Sequence, residues 1–235
     1  MFAIKINQNK KMINKKLLAT TAFAGLVATS NAFSQTTNFV GPSLAITGSY
    51  VGASSTNSLE AANFSNTPGK RNDLIPGVDF NYGFASGNNF VIGVGATYDF
   101  SKTKIGGLSI SNYLGEDVDV SFDNELKEHY SLYVQPTYIV NKDSAIFAKL
   151  GRHFAKATFS ATATEGITDN FSVSKNIEGW GYGLGLKTFL SNNLFVQAEA
   201  GIVNYEKFEA VEDSNPPISI KPRTINGTIS IGYKF

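Results

Sequence analysis

Few side chains of this sequence could perform nucleophilic or acid–base chemistry, because it holds only two histidines and no cysteine. His129 stands two positions before Ser131, and a His-x-Ser pair could supply a base and a nucleophile. His153 is the other histidine. The sequence has no Gly-x-Ser-x-Gly, His-Glu-x-x-His or phosphate-loop motif, and no cluster with metal-ligand spacing. We therefore predict no catalytic residue, no cofactor and no metal site, and hydrogen-bonded histidines instead.

A second set of polar side chains lies at alternate positions within otherwise apolar stretches. The set is Asp79, Asp99, Tyr133, Gln135, Lys149, Lys187 and Glu199. If these positions face the inside of a closed sheet, acids and lysines nearly balance, and they should satisfy one another as a packed polar network. Lys187 and Glu199 lie at similar distances from one tight turn, so we predict that they pair. The alternative is a gated, ion-conducting path through the same charges.

The last eleven residues, 225–235, indicate which elements hold this network. Ile229, Ile231, Tyr233 and Phe235 alternate with small or polar residues up to the final position. Strict alternation of this kind is typical of a strand with two different faces. A terminal Tyr-x-Phe suits a membrane interface, where aromatic rings favour the headgroup level.

The same alternation predicts eight strands, joined in turn by long and tight connections. The predicted strands are 39–51, 74–84, 90–100, 127–140, 145–156, 178–190, 194–205 and 225–235. The tight turns are 86–89, 141–144 and 191–193, and the long loops are 52–72, 101–126, 157–176 and 207–221. Each strand is long enough for a tilted membrane crossing, and an even strand number allows closure without an edge. Pro76 and Pro136 fall inside strands, so we expect bulges or strand ends there.

The apolar face is predicted to point outward, because glycines crowd the polar face and large aromatics stand near strand ends on the other. Gly93, Gly95, Gly181, Gly183 and Gly185 suit a narrow, filled interior. Arg152 falls on the outward face and should lie near the outer interface. The predicted interfacial aromatics are Tyr50, Tyr82, Phe84, Tyr98, Phe100, Tyr130, Tyr138, Trp180 and Tyr182.

Strand count, loop alternation and the terminal Phe235 together resemble the opacity-protein and OmpA-type group of small outer-membrane barrels. The resemblance implies an all-β, eight-stranded antiparallel transmembrane up-and-down barrel. It also implies that the barrel-assembly machinery reads Tyr233 and Phe235 as its signal. His129-Tyr130-Ser131 is similar to the His-x-Ser of lipid A deacylases, but Leu132 follows the serine and no acidic partner is evident.

The N-terminal residues 1–34 read as a signal peptide, with Lys15 and Lys16 before an apolar run and a small-residue cleavage zone. Cleavage could follow Ala32 or Ser34, and Met1 or Met12 could be the start. The barrel domain is then 35–235. Removing a segment with five lysines and no acid takes the basic residues from 20 to 15 against 19 acidic ones, a net charge of −4. Such a chain is not expected to bind nucleic acid.

The expected location is the bacterial outer membrane, with outer-membrane lipid and lipopolysaccharide as partners. The leading functional hypothesis is a non-enzymatic barrel with a packed polar lumen and four surface loops, in a structural or adhesion-type role that includes a possible surface ligand. A narrow porin for small solutes or ions is the alternative. A lipid A-modifying enzyme is the second alternative.

Overall fold

The computed structural model describes residues 38–59, 64–66, 71–110, 119–164, 171–211 and 218–235, and the predicted signal peptide lies outside them. Their regular structure is β-strand in eleven segments. The segments are β1 Gly41–Leu59, β2 Phe64–Asn66, β3 Arg71–Ala85, β4 Phe90–Asp99, β5 Thr103–Ile110, β6 Asp119–Ile139, β7 Ser144–Thr164, β8 Phe171–Phe189, β9 Leu194–Tyr205, β10 Phe208–Val211 and β11 Ile218–Lys234. No helix within these ranges has the length and apolar character of a membrane span.

The eleven segments make eight barrel strands. β4 and β5 both pair with β6, one after the other, so they are two parts of one barrel strand. In the same way β2 continues β3 beside β1, and β10 continues β9 beside β11. The first strand pairs with the last from Ser43↔Lys234 to Leu59↔Ile218, which closes the sheet. Neighbouring strands are antiparallel throughout, so the predicted eight-stranded up-and-down barrel is confirmed.

Several strands are longer than predicted at the end away from the tight turns. The predicted loops 101–126 and 157–176 are wrong in large part, because β5, β6, β7 and β8 occupy much of both. Parts of loops 52–72 and 207–221 are strand as well. Ser, Thr and Asn led us to predict loops, but these residues also suit a strand whose outer face is in water.

The three tight turns lie where they were predicted, between β3 and β4, β6 and β7, and β8 and β9. Asn141 holds the second turn by accepting hydrogen bonds from the backbone amides of Asp143 and Ser144. Neither strand proline lies at a bulge or at a strand end, which corrects that expectation. Pro76 lies at the end of the ladder to β4, and Pro136 lies at a gap in the ladder to β7. At these points a missing amide proton breaks few hydrogen bonds.

A bulge does occur in β6, where the register to β7 shifts between Lys127 and Tyr130. Glu128 within it has a φ of 53°, in the left-handed region that side chains with a Cβ rarely adopt. One extra residue in β6 changes which positions face inward. Leu126 is therefore inward above the bulge, and His129 is inward below it.

Inward side chains form three layers along the barrel. The lower apolar layer, at the short-turn end, is Phe39, Ala45, Val91, Ile139, Ala145, Phe189 and Phe195. The upper apolar layer, towards the other end, is Ala53, Ile105, Leu126, Ala155, Ala157, Phe159, Ile177, Val203, Tyr205, Phe208 and Ile220. The polar layer lies between them. Large apolar residues such as Ile46, Leu74 and Leu184 point outward and are about 70% exposed, as the outward-apolar arrangement predicts.

Candidate functional site in the polar layer of the lumen

The centre of the polar layer is an ion cluster around Lys149 of β7. The Lys149 ammonium is 3.1 Å from the Asp79 carboxylate and 2.6 Å from the Glu199 carboxylate. All three side chains are about one-tenth exposed. The cluster brings together strands β3, β7 and β9, which are not neighbours in the sheet. Lys149 therefore ties the barrel across its interior.

Tyr133 of β6 completes this cluster. Its hydroxyl donates to the Asp79 carboxylate, accepts a hydrogen bond from the Asn81 amide at 3.2 Å, and its ring lies 4.3 Å from the Lys149 ammonium. Gln135, nearby on the same strand, is buried and donates to the Thr137 hydroxyl. Tyr133 thus lies between a carboxylate and an ammonium and contacts both.

The predicted pairing of Lys187 with Glu199 is wrong. Lys187 is opposite Gln197 in the ladder, whereas Glu199 is opposite Gly185 and reaches Lys149 instead. Within the described residues no carboxylate lies within 4.0 Å of Lys187. Its ammonium is 4.4 Å from the centre of the Phe195 ring. The prediction used distance from the turn along two neighbouring strands, but the ions meet across the lumen.

A second polar group, the histidine chain, lies above the ion cluster and consists of Asp99, His129 and His153. His129 Nδ1 is 2.6 Å from the Asp99 carboxylate, and His129 Nε2 is 2.9 Å from His153 Nδ1. The three residues come from β4, β6 and β7. Sequence reasoning placed all three in the lumen without connecting them. Their positions in neighbouring strands and on one face were the available signal.

Ser131 does not act with His129 in the described structure. The Ser131 hydroxyl is buried and lies 2.6 Å from the Thr97 hydroxyl. Both ring nitrogens of His129 already have partners in the histidine chain. The His-x-Ser sequence therefore does not form a base–nucleophile pair here.

Two glycines of β8 make room for these groups. A Cβ on Gly181 would overlap the His153 ring, and a Cβ on Gly183 would lie 2.7 Å from a Glu199 carboxylate oxygen. Any larger residue at either position would displace an ionisable side chain. The glycines that sequence analysis assigned to a narrow interior thus leave space for the polar side chains of facing strands.

A cavity of about 90 Å³ lies within the polar layer. Its lining includes Asp79, Lys149 and Glu199 of the ion cluster and the whole histidine chain. This volume has room for a few water molecules, which need about 10–15 Å³ each by this measure. The described residues contain no group of three or more His, Asp or Glu side chains arranged to hold a metal ion.

Outward aromatics mark two levels on the outside of the barrel. Tyr82 and Tyr138 lie near the short turns. Tyr50, Tyr98 and Trp180 lie eight or nine residues from the short-turn ends of their strands. Three of the remaining predicted interfacial aromatics are also exposed, namely Phe100, Tyr130 and Tyr182. The fourth, Phe84, is half-exposed and packs on Tyr82. Tyr233 and Phe235 point outward at the short-turn end, with ring centres 5.3 Å apart.

On the outward face of the described strands, ion pairs begin at and above the upper aromatic level. Arg152 lies beside Trp180 and binds Glu178 at 2.7 Å and Glu206 at 2.6 Å. Farther up, Glu125 receives Lys102 at 2.7 Å and Lys127 at 3.2 Å. Partial burial raises the pKa of Glu125, but hydrogen bonds and attraction from the two lysines outweigh it, so the net pKa is lowered. The change from apolar to ion-paired side chains is typical of the upper boundary of a membrane.

The chain is similar to one protein family and to several proteins of known structure. Residues 19–235 match the family described as outer membrane protein beta-barrel domain, whereas no curated protein matches. Ail, the attachment invasion locus protein of Yersinia pestis, is 17% identical, covers 83% of this chain and 100% of its own, and gives a TM-score of 0.44. The corresponding values are 16%, 83%, 99% and 0.38 for Neisserial surface protein A, and 15%, 83%, 96% and 0.44 for OprG from Pseudomonas aeruginosa.

The family match takes in nearly the whole chain and all eight barrel strands. It confirms the resemblance to small outer-membrane barrels. The protein therefore belongs to the outer membrane protein beta-barrel domain family and is a multi-pass β-barrel of the bacterial outer membrane.

Proposed function

We propose that this barrel is a non-enzymatic surface protein with a structural and adhesion-type role, in which the lumen is a plug and the long-strand end contacts other surfaces. The observation that carries the proposal is the sequence of layers in the lumen. Apolar layers lie above and below the polar layer, and each contains side chains with almost no exposure, such as Ile220 above and Ile139 below.

The lower apolar layer argues against steady conduction. Phe195 and Val91 are each about 2% exposed, and Phe189 packs against both Phe39 and Phe195 with ring centres 5.1 and 5.5 Å apart. A hydrated ion would have to separate these rings. Eight-stranded barrels leave an interior that side chains can fill, and here the filling is apolar at both ends of the polar layer.

The upper end of the barrel supports a role in contacts outside the membrane. Phe154, stacked on Tyr130 at 4.9 Å, belongs to the upper aromatic level. The last ten residues of β7, 155–164, continue beyond it. At 3.3 Å per residue and a tilt of about 40°, they extend the sheet by about 25 Å. A sheet that rises this far can present its connecting segments beyond the lipid headgroups.

The surroundings of Ser131 and His129 support a non-enzymatic role. A lipid A deacylase needs a serine that its histidine can activate and that a lipid can reach. Ser131 is about 1% exposed, faces the lumen and is bonded to Thr97. An acyl chain outside the barrel would have no route to this hydroxyl in the described structure.

The narrow porin is the second candidate, and the cavity of about 90 Å³ beside the ion cluster favours it. Conduction would require the lower apolar layer to open. We also propose lipid contacts through the outward apolar face, lipopolysaccharide contacts at the upper boundary, and recognition of Tyr233 and Phe235 by the assembly machinery.

Cells that express the full chain test the adhesion-type role. The full chain is expressed in a Gram-negative strain without adhesins, beside a variant whose segments 60–70, 111–118, 165–170 and 212–217 are replaced by short Gly/Ser linkers. A control carries Gly/Ser substitutions in the short turn 86–89. Heat-modifiable migration checks that each barrel has folded. We expect binding to host-cell monolayers by the full chain and the control, and its loss in the linker variant.

Three results would overturn the proposal. Binding no higher than that of empty-vector cells removes the adhesion-type role. Steady conductance of the refolded full chain in planar bilayers replaces the plug with the porin. An altered lipid A mass spectrum in expressing cells would establish the enzyme.

A further inference from the structure

The histidine chain links three ionisable side chains that no motif connects. Asp99 accepts a hydrogen bond from His129 Nδ1, since a carboxylate can only accept and the two atoms are 2.6 Å apart. His129 Nε2 and His153 Nδ1 share the next hydrogen bond, at 2.9 Å. The Tyr205 ring covers His129 edge-on from above, with ring centres 6.5 Å apart. The hydrogen bonds therefore run in one series from Asp99 through His129 to His153, and the last atom of the series is His153 Nε2.

The number of protons on the histidine chain decides whether His153 Nε2 accepts or donates a hydrogen bond. With both rings neutral, His129 Nδ1 carries a proton, so its Nε2 must accept from His153 Nδ1. His153 Nε2 is then left with a lone pair. One added proton puts a hydrogen on His153 Nε2 whichever ring holds the positive charge. A single proton thus changes this atom from a hydrogen-bond acceptor to a donor.

His153 Nε2 is placed to exchange that proton with water. It has no hydrogen-bond partner among the described residues, and it lies against Gly181, where a Cβ would overlap it. His153 and Gly181 both line the cavity of about 90 Å³. Water in this cavity can reach the nitrogen, whereas Asp99 at the other end of the chain provides the negative charge.

The charged side chains that line the cavity are three carboxylates, Asp79, Asp99 and Glu199, and one ammonium, Lys149. Asp79 and Glu199 share the ammonium of Lys149, so that ammonium is already used by two carboxylates. Asp99 has no cationic partner in the described residues other than His129. Tyr133 and Tyr205 are uncharged neighbours, and Lys187 lies below, against Phe195. A buried carboxylate requires a counter-charge, and one imidazolium would provide it.

We propose that the histidine chain is a proton-binding site of the lumen, which takes up one proton from cavity water through His153 Nε2. The two rings titrate as one unit, because a second proton would place two positive charges on rings joined by one hydrogen bond. Proton uptake changes His153 from an acceptor to a donor towards the cavity. The hydrogen bonding of the cavity therefore changes with the protonation of the histidine chain, independently of whether the upper end acts in adhesion.

Nuclear magnetic resonance of the ring nitrogens tests the proposal directly, because these are the only two histidines of the chain. The full chain, labelled with ¹⁵N-histidine and refolded in micelles, is titrated from high to low pH. At high pH we expect both rings in the Nδ1–H form. On acidification His153 Nε2 should gain the first proton while the chemical shifts of both rings change together.

Asp99→Asn keeps the shape of the side chain and removes its charge. We expect this variant to move the midpoint of the titration to lower pH by about one unit or more, as loss of a neighbouring opposite charge does. Asp143→Asn, in a short turn, is the matched control and should leave it unchanged. The Nε2–H form of His153 at high pH, or two rings that titrate separately, overturns the proposal even if Asp99→Asn does not fold.

Discussion

Replacing Lys149 tests whether the ion cluster holds the barrel together across its lumen. Lys149→Met keeps most of the side-chain length and removes the ammonium. It leaves Asp79 and Glu199, each about one-tenth exposed, without their common counter-ion. Tyr133 still donates to Asp79, but a neutral hydroxyl cannot balance two carboxylates.

The expected loss is large because one partner of a buried ion pair is removed while the others remain. Such changes typically cost about 3–5 kcal/mol. Lys149 serves two carboxylates, so we expect Lys149→Met to lower the free energy of unfolding by an amount in that range. Lys187→Met is the matched control. Lys187 is also buried, but among the described residues its ammonium lies over the Phe195 ring and has no carboxylate within 4.0 Å, so its replacement should change stability by less than about 1 kcal/mol.

Urea unfolding of the refolded barrel in micelles measures both variants. Trp180 is the only tryptophan, and it points outward at the upper aromatic level, so its fluorescence reports the loss of the lipid-like environment. Removing all three charges with Lys149→Met, Asp79→Asn and Glu199→Gln should restore most of the loss. Equal effects of Lys149→Met and Lys187→Met, or no recovery in the triple variant, would refute this account of the cluster.

Three further predictions concern the bulge, the lumen and the upper ion pairs. Glu128→Gly should raise the free energy of unfolding by about 1 kcal/mol, because glycine adopts the positive φ without strain, and Glu128→Ala should not. Gly185→Ala should lower it by about 1–3 kcal/mol, because the added Cβ overlaps the Phe147 ring, while Gly48→Ala has open space and serves as its control. Glu125, whose pKa is lowered in the fold, stabilises the protein above its ordinary pKa of 4.5 and loses that contribution as the pH falls. The unfolding midpoint of Glu125→Gln should therefore decrease less between pH 6 and pH 3 than that of the wild type; equal decreases would contradict this.

The barrel could be predicted from the sequence because its strongest signals are local. Alternation along each strand shows which residues share the outward apolar face, and tight turns rich in Asn and Ser mark the short connections. Both depend on residues close together in the chain. Strand ends at the upper side were predicted too short, because once a strand leaves the lipid its outer face no longer needs apolar residues. Thr158 and Ser160 of β7, bonded to Ser174 and Ser172 across the ladder, resemble a loop in composition alone.

The partners inside the lumen could not be predicted in this way, because they depend on which strands face each other across a closed sheet. Glu199 is closer in sequence to Lys187, yet it binds Lys149, since the barrel brings β7 and β9 together around the missing side chain of Gly183. The inward positions above the histidine chain could not be predicted either. In β6 the bulge changes the inward positions just above His129, and alternation gives no sign of an inserted residue. Strand register and bulges therefore decide the chemistry of the lumen, while the pattern that predicts the barrel is insensitive to both.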